Sequence, residues 1–259
     1  MSDTLLQAVA AIAIEAGQLG MKHWRGDFEK WEKSPGDPVS EVDLAINVLL
    51  RERLYALDPE AGWLSEETVD DAERLMRSRV WVVDPIDGTR DFVRGRPGWC
   101  VSIGLVEAGQ PLVGVLDAPA RAEHWQAEAG KGATCNGEPL TASSRIGFAG
   151  ARVPADALPK GDMDLVTVEK PNSIALRIAM VAADRADLVA TLRWGHEWDI
   201  AAAVLIAAEA GAAVSDARGA PLLFNSTKAE AFGVLVASQA VHPVAVERLS
   251  SRAAALAKR

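Results

Sequence analysis

A valine-rich apolar run at residues 80–83 ends abruptly in two carboxylates, Asp84 and Asp87, followed by Gly88 and Thr89. Such a run is typical of a buried strand, and two acids at its end repel each other and resist desolvation. A cation must hold them, and carboxylate oxygens suit a hard divalent ion, Mg²⁺ above all. The backbone N–H groups of Gly88 and Thr89 suit an anionic substrate. A tight turn built on Asp-Pro and Asp-Gly is the simpler explanation of the same residues.

Two distant acidic features favour the metal site over the simple turn. Glu66 and Glu67 lie upstream in a Leu-Ser-Glu-Glu-Thr stretch, and Asp199 lies downstream, where Glu-Trp-Asp opens an alanine-rich helical run. Taken singly, the Glu pair fits the solvated start of an acidic helix, and Asp199 fits a favourable charge in a first helical turn. The three features together indicate one shared site.

The order and spacing of these motifs resemble the inositol monophosphatase superfamily of Mg²⁺-dependent, lithium-sensitive phosphatases. That family carries a Glu-Glu pair, a strand that ends in Asp-Pro-Ile/Leu-Asp-Gly-Thr, and a distal Trp-Asp at a helix start. The matching residues here are Glu66-Glu67, the run from Asp84 to Thr89, and Trp198-Asp199. The likeness covers essentially the whole chain.

The resemblance implies two or three Mg²⁺ ions in each site. One ion would be held by Glu66, Asp84 and the backbone carbonyl of Ile86, and a second by Asp84, Asp87 and Asp199. Asp84 would bridge the two ions. Bound ions would polarise the phosphoryl oxygens, activate water and stabilise the leaving oxygen, while the phosphate would rest on the N–H groups of Gly88 and Thr89.

The resemblance also implies a catalytic set of Asp43, Thr89 and Glu66. The Thr89 hydroxyl would pair with Asp43 to orient the attacking water. Asp43 is also the acid of a capping box that starts at Ser40, and the two roles are compatible. Lys33 matches a mobile family lysine near the site, with a solvated loop lysine as the alternative. Glu67 is an additional candidate with no assigned role.

Substrate choice depends on the stretch before Trp198. Inositol-preferring members carry an acid that binds ring hydroxyls there, and residues 190–196 contain none. A polyol pocket without that acceptor loses selectivity. Arg193 and Trp194 instead offer a charge and a stacking surface for a second phosphate or a base, although a surface cation and a core aromatic are the alternatives. His196 is close enough to Asp199 in sequence to face substrate.

The motifs look like the branch that removes the 3′-phosphate from adenosine 3′,5′-bisphosphate in sulfate assimilation, and that nucleotide is the predicted substrate. The loop before Glu197 is shorter than is usual in this branch. Inositol-1-monophosphatase and histidinol-phosphate phosphatase of broad specificity are alternatives. A regulatory member that acts by protein contact is a further one, but the intact carboxylate set and Thr89 favour catalysis.

Composition restricts the partners. The chain has 259 residues and a formal net charge of −9, which argues against binding nucleic-acid polymers through a basic patch. Neither a secretory pattern nor a run long enough to span a bilayer is evident, so a cytoplasmic protein with a small phosphate-ester substrate and no membrane contact is expected. Cys100 and Cys135 indicate neither a disulfide framework nor a zinc site. The sequence leaves monomer and homodimer open.

Alternating helical and strand patterns must position the site. A first helix is predicted from about Ser2 to about Trp24, a second after Ser40, and a hairpin at residues 99–116. A composition shift at residues 143–159 predicts a subdomain boundary. The resemblance implies an N-terminal α+β subdomain, residues 1–145, with most metal ligands, and a C-terminal α/β subdomain, residues 146–259, that completes the site with Asp199. The resemblance implies an α/β fold, an α-β-α-β-α sandwich with mixed strand pairing.

Overall fold

The computed structural model describes residues 2–257, together with their side chains except those of residues 2–4 and 37. The helices are α1 (Ser2–His23), α2 (Glu41–Leu57), α3 (Thr89–Val93), α4 (Ile174–Ala182), α5 (Ala201–Glu209) and α6 (Val241–Leu256). Short 3₁₀ helices span Ala72–Met76, Pro119–Arg121 and Lys160–Asp162. Within the described residues, no helix is both long and apolar enough to cross a membrane.

The strands are mostly short. They are β1 (Lys30–Ser34), β2 (Asp37–Ser40), β3 (Gly62–Ser65), β4 (Arg79–Asp87), β5 (Cys100–Glu107), β6 (Gln110–Ala118), β7 (Glu123–Glu128), β8 (Ala133–Cys135), β9 (Glu138–Pro139), β10 (Arg152–Pro154), β11 (Val166–Val168), β12 (Leu188–Ala190), β13 (Trp194–His196), β14 (Ala213–Ser215), β15 (Glu230–Phe232) and β16 (Leu235–Ala237).

The larger sheet runs in sequence order from β3 to β9. Strands β3 and β4 are parallel, and every later neighbour in this sheet is antiparallel. The predicted hairpin is confirmed as β5 and β6, which join at Glu107 and Gln110. Mixed pairing is thus confirmed as well. A second sheet has the antiparallel order β12-β16-β14.

Buried side chains alternate along β4 and separate two cores. Trp81 and Val83 face α1 and α2, whereas Val80 and Val82 face α4 and α5. A strand buried on both faces reads as a continuous apolar run, and each buried side chain of this size contributes about 1.5–3 kcal/mol. On their far side α4 and α5 contact the second sheet, which α6 covers. The five layers confirm the α-β-α-β-α sandwich.

Two glycines allow α5 to lie directly on the larger sheet. Gly104 and Gly114 face each other across β5 and β6. A Cβ on Gly114 would lie 2.6 Å from the carbonyl oxygen of Ala202, and one on Gly104 would lie 3.3 Å from the Cβ of Ala201. The first turn of α5, which follows Asp199, therefore packs in a fixed position against the strands that lead into the site.

Some predicted elements need correction. Glu66 and Glu67 follow strand β3 and lie in a turn, not in a helix, so the interpretation as an acidic helix start is wrong. Strand β4 extends to Asp87, beyond the predicted 80–83 run, because β5 continues to pair with it as far as Cys100. Helix α6 starts at Val241, so Pro243 lies in its first turn, where a proline is tolerated because its missing N–H would have no helical partner. The division into residues 1–145 and 146–259 stays a prediction.

Candidate active site

Parallel pairing brings Glu66 beside Asp84. Ser65 lies opposite Val83 at the ends of β3 and β4, and the N–H of Glu66 donates to the Val83 carbonyl at 3.3 Å. The carboxyl ends of neighbouring parallel strands share one sheet edge, so the acids that follow them converge. Asn47 of α2 supports this edge, since its amide accepts the Ser65 hydroxyl at 2.7 Å.

Four carboxylates of the predicted metal set influence one another. Asp84 is 2% exposed and Asp87 is 7% exposed. Burial and the charges of Glu66, Asp87 and Asp199 raise the pKa of Asp84 well above its usual range. Burial, then Asp87 and Glu66, does the same to the pKa of Asp199. Acids that follow β3, end β4 and precede α5 therefore lie close enough to interact electrostatically, and we call these four the carboxylate cluster; their negative charges favour a bound cation.

Lys33 reaches this cluster from the β1–β2 hairpin. Its Nζ lies 2.8 Å from Oε1 of Glu66 and 2.8 Å from Oε1 of Glu67. Burial lowers the pKa of Lys33, but the two carboxylates outweigh it and raise that pKa. The pKa of Glu67 rises to about 7, because burial outweighs the opposing effect of Lys33. The structure therefore places Lys33 and Glu67 within the site, rather than leaving Lys33 as a solvated loop residue.

Asp87 is held by the start of α4. Its Oδ2 accepts the Ser173 hydroxyl at 2.5 Å and the Ala175 N–H at 2.7 Å, and its Oδ1 accepts the Ile174 N–H at 3.3 Å. Burial raises the pKa of Asp87 to about 6, although these bonds oppose the shift. Sequence reasoning missed Ser173 and Ala175; the available signal was a serine, a favoured N-cap residue, directly before an apolar run.

The turn after Asp87 requires glycine. Gly88 has φ of 96°, in the left-handed region, and a Cβ there would lie 2.6 Å from the Gly98 carbonyl oxygen and 2.9 Å from the Ser173 nitrogen. Helix α3 begins at Thr89, and the Gly88 carbonyl accepts the N–H of its third residue, so the N–H groups of its first two residues have no carbonyl partner within the helix. Free N–H groups of this kind suit an anion, and phosphate binding by Gly88 and Thr89 stays a prediction.

Asp43 and Thr89 meet as the sequence analysis expects. Thr89 Oγ1 lies 3.3 Å from Oδ1 of Asp43 and 3.0 Å from the Ile86 carbonyl oxygen. Asp43 also closes the predicted capping box: its Oδ2 accepts the N–H of Ser40 at 2.9 Å. Burial raises the pKa of Asp43 to about 6, against the hydrogen bonds from Ser40. A carboxylate with that pKa is suited to accept a proton near neutral pH.

The profile of the Inositol monophosphatase family matches residues 1–253. The chain belongs to the inositol monophosphatase family. Inositol monophosphatase 2 of Solanum lycopersicum is 34% identical over 80% of this chain and 87% of that protein. Fructose-1,6-bisphosphatase/inositol-1-monophosphatase of Thermotoga maritima is 34% identical over 79% of this chain and 82% of that protein. The solved Thermotoga maritima IMPase TM1415 superposes with a TM-score of 0.84 at 27% identity, over 98% of this chain and 99% of that one.

Other relatives carry different names. They include a histidinol-phosphatase of Chlorobaculum parvum at 32% identity, the 3′(2′),5′-bisphosphate nucleotidase CysQ of Escherichia coli at 31% and the Nus factor SuhB of Xylella fastidiosa at 34%. The bisphosphate nucleotidase branch is therefore not singled out. The chain is an inositol monophosphatase-family phosphatase, and the comparisons leave its substrate open.

The donor atoms of this family site suit a hard cation. The candidate ligands are carboxylates and the Ile86 carbonyl, all of them oxygens, and oxygen ligands are those that Mg²⁺ prefers. Within the described part of the chain, no three His, Cys, Asp or Glu side chains form a ready-made metal cage. Lys33 holds Glu66, and α4 holds Asp87. Metal ions would therefore compete with protein donors for these two carboxylates.

The predicted substrate residues have different surroundings. Arg193 and His196 line a small cavity together with Asp199, and the His196 ring stacks on Trp198 with centroids 4.3 Å apart. Trp194 does not line this cavity. It packs edge-on against Phe232, with ring centroids 5.4 Å apart. Trp194 is therefore placed as a packing aromatic, the alternative given in the sequence analysis, and not as a stacking surface in this cavity.

Arg177 is an arginine near Asp87 that the sequence analysis does not identify. Burial lowers the pKa of Arg177, and the nearby charge of Asp87 opposes that shift. Its Nε donates to the Pro171 carbonyl at 3.0 Å. Arg193 influences the same guanidinium electrostatically. The site thus has a cationic side, formed by Arg177 and Arg193, beside the carboxylate cluster.

Proposed function

We propose that the chain is a Mg²⁺-dependent phosphomonoesterase that hydrolyses a small phosphorylated metabolite by attack of water. The observation that carries this proposal is the negative charge around the buried Asp84, where Glu66, Asp87 and Asp199 all lie close enough to raise its pKa, beside the Asp43–Thr89 pair. Buried acids this close are unfavourable unless a cation balances them. Lys33 supplies one positive charge for the cluster.

The proposed ligands are Glu66, Asp84, the Ile86 carbonyl, Asp87 and Asp199. Bound Mg²⁺ would supply Lewis-acid polarisation of the phosphoryl oxygens and stabilise the leaving oxygen. Thr89, held by Asp43, orients the attacking water, and Asp43 accepts the proton through the Thr89 hydroxyl. The N–H groups of Gly88 and Thr89 bind the phosphate oxygens. Inhibition by Li⁺ is proposed from the family resemblance.

For the substrate we propose adenosine 3′,5′-bisphosphate. Support comes from Arg193, which lines the cavity beside Asp199, and from the missing acid at residues 190–196. A guanidinium recognises a second phosphate well. Trp194 gives no support, because its ring packs on Phe232.

Inositol 1-phosphate is the second candidate. Two relatives at 34% identity carry inositol monophosphatase in their names, and histidinol phosphate follows from a third relative at 32%. A protein-binding role has the relative named Nus factor as its support. The retained carboxylate set favours hydrolysis over a purely regulatory role.

The test is phosphate release from the purified chain. Adenosine 3′,5′-bisphosphate, inositol 1-phosphate and histidinol phosphate are compared at equal Mg²⁺, and each is repeated in excess chelator. We expect Mg²⁺-dependent release, with the highest kcat/KM for the nucleotide. A higher kcat/KM for inositol 1-phosphate would make that compound, and not the nucleotide, the proposed substrate. No release from any phosphomonoester would favour the protein-binding role.

A further inference from the structure

Arg74 and Glu197 are two buried charged residues outside the proposed catalytic set, 2% and 0% exposed. They meet at residues 225–226, which lie in the loop between β14 and β15. Nη1 of Arg74 donates to Oδ1 of Asn225 at 2.5 Å, and Nη2 donates to the Ser226 carbonyl at 3.0 Å. On the other side of the loop, Glu197 accepts the N–H of Asn225 at 2.6 Å and that of Ser226 at 2.9 Å.

Two further donors of Arg74 are bound to Asp70. Its Nε and Nη2 donate to the two carboxylate oxygens of Asp70, at 2.6 and 2.8 Å. Buried charges are costly unless their hydrogen bonds are fully made, and such groups often contribute positional specificity rather than stability. We call Arg74, Asn225, Ser226 and Glu197 the Arg74 clamp.

One end of the Arg74 clamp lies against the strand that leads to Glu66. A Cβ on Gly62 would lie 2.9 Å from the Cβ of Arg74 and 3.0 Å from its Cα. Gly62 is the first residue of β3, and Glu66 directly follows that strand. Because the backbone of Arg74 rests on Gly62 with no room for a side chain, a shift of Arg74 would move β3.

The other end carries Asp199. The Glu197 carbonyl accepts the N–H of Ile200 at 3.2 Å and that of Ala201 at 2.9 Å, which forms the turn that starts α5. Asp199 lies inside this turn. The side chain of Glu197 therefore ties the Asp199 turn to loop 225–226, and Arg74 ties that loop to β3.

We propose that Arg74 is a positioning residue for the metal site. Through the clamp it sets the separation between Glu66 and Asp199, which reach the site from distant parts of the chain. This inference rests on the proposed function, because it takes Glu66 and Asp199 as Mg²⁺ ligands. Side chains that orient metal ligands from outside the coordination sphere commonly change metal affinity or activity by about 10- to 100-fold when they are removed.

The test compares Asn225→Gly and Arg74→Gln with two control variants. Asn225 has φ of 61°, which glycine adopts without strain. Asn225→Gly therefore removes the side-chain contacts between Asn225 and Arg74 and keeps the backbone, including the Ser226 carbonyl that Arg74 also contacts. Arg77→Gln alters a nearby exposed arginine that lies 3.5 Å from Glu60. Arg152→Gln breaks an arginine contact to the buried Asp187, outside the proposed site. Calorimetry measures Mg²⁺ binding to each metal-free, full-length protein, and kinetics give kcat and the Mg²⁺ concentration for half-activation.

We expect both clamp variants to weaken Mg²⁺ binding by about tenfold or more and to raise the half-activating Mg²⁺ concentration in parallel. Both control variants should bind Mg²⁺ as the wild type does, even where Arg152→Gln lowers the melting temperature. Should Arg74→Gln not fold, Asn225→Gly decides the question.

Unchanged Mg²⁺ affinity in the folded clamp variants would overturn the inference, as would an equal loss in Arg152→Gln, since that loss would reflect general stability. In both cases a Mg²⁺-dependent wild type leaves the proposed function intact. A wild type that neither binds Mg²⁺ nor responds to it would contradict the proposed function and this inference together.

Discussion

Asp84 and Asp87 are both buried, but their hydrogen-bond partners differ. Asp87 accepts three bonds from Ser173 and the first N–H groups of α4. Asp84 accepts the N–H of Ile86 at 3.0 Å, and it faces the negative charges of Glu66, Asp87 and Asp199. Asp84 therefore depends more strongly on a cation than Asp87 does, which agrees with its proposed bridging role.

Ligand and orienting residues are expected to behave differently on substitution. Asp87→Asn should weaken Mg²⁺ binding and remove most of the activity, because it removes a proposed ligand charge. Thr89→Ala should leave Mg²⁺ affinity nearly intact and lower kcat by about 100-fold or more, the scale of general acid–base assistance. Calorimetry beside steady-state kinetics makes the comparison. Equal losses of Mg²⁺ affinity in the two variants would show that these roles are wrongly assigned.

Arg193 is the residue on which the substrate proposal depends. Arg193→Ala should raise KM for adenosine 3′,5′-bisphosphate far more than KM for inositol 1-phosphate, because only the nucleotide has a second phosphate to pair with the guanidinium. Both substrates are measured on the wild type and the variant at equal Mg²⁺. A change in KM of the same size for both substrates would count against the nucleotide.

At the scale of elements, the close packing of α5 on the larger sheet can be tested directly. Gly114→Ala should destabilise the fold by about 1–3 kcal/mol, the usual cost of overpacking, because the new Cβ would meet the Ala202 carbonyl at 2.6 Å. Gly147→Ala is the matched control, since a Cβ there meets nothing within 4 Å. Urea unfolding measures both variants. Equal stability of the Gly114→Ala and Gly147→Ala variants would contradict the close packing of α5 on the sheet.

Elements with long, regular patterns are the ones whose bounds the sequence predicts most closely. The periodicity of α1 and the alternation of the β5–β6 hairpin each span many residues, so both are found close to their observed bounds. Strands β10, β11, β13 and β15 have three residues each, too few to show a period. Strand β3 is hidden because Glu66 and Glu67 follow it and imitate the start of an acidic helix.

The residues of the candidate site also fall into two groups, those that the sequence shows and those that only the fold reveals. Its carboxylates lie in local motifs, so the sequence identifies them. Ser173 is 86 positions from Asp87, and Arg74 is 151 positions from Asn225. No local pattern shows such contacts, because they exist only after the chain has folded. Trp194 is the opposite case, since its type suggests stacking but its position places it against Phe232.

At the scale of the whole molecule, two buried connections join distant parts of the chain around the site. One runs from Asp87 to Ser173 and the other from Arg74 to Asn225. Both lie between residues of the predicted segments 1–145 and 146–259. If those segments are subdomains, their relative placement and the geometry of the carboxylate cluster are linked.

Protonation of Asp187 is expected to lower the stability of the fold at acidic pH. Burial would raise its pKa, but hydrogen bonds from Arg152 and Ser143 reverse that effect and lower the pKa to about 2. The folded pKa lies below the unfolded value, so the stabilisation is complete above about pH 4 and is lost as the pH falls towards 2. The shift corresponds to about 2 kcal/mol. Urea unfolding should show Asp187→Asn destabilised at pH 7 and the difference shrinking below pH 4. A difference that does not change with pH would contradict the ionic origin.

The central claim is that the carboxylate cluster hydrolyses phosphomonoesters with Mg²⁺. The most direct measurement is phosphate release by the wild-type chain after chelation, followed by titration with Mg²⁺ and then with Li⁺. We predict that chelation abolishes release, that Mg²⁺ restores it, and that Li⁺ inhibits the restored activity. The oxygen-only donor set and the four converging acids are the physical reason for the metal requirement. Full activity in excess chelator would contradict the account.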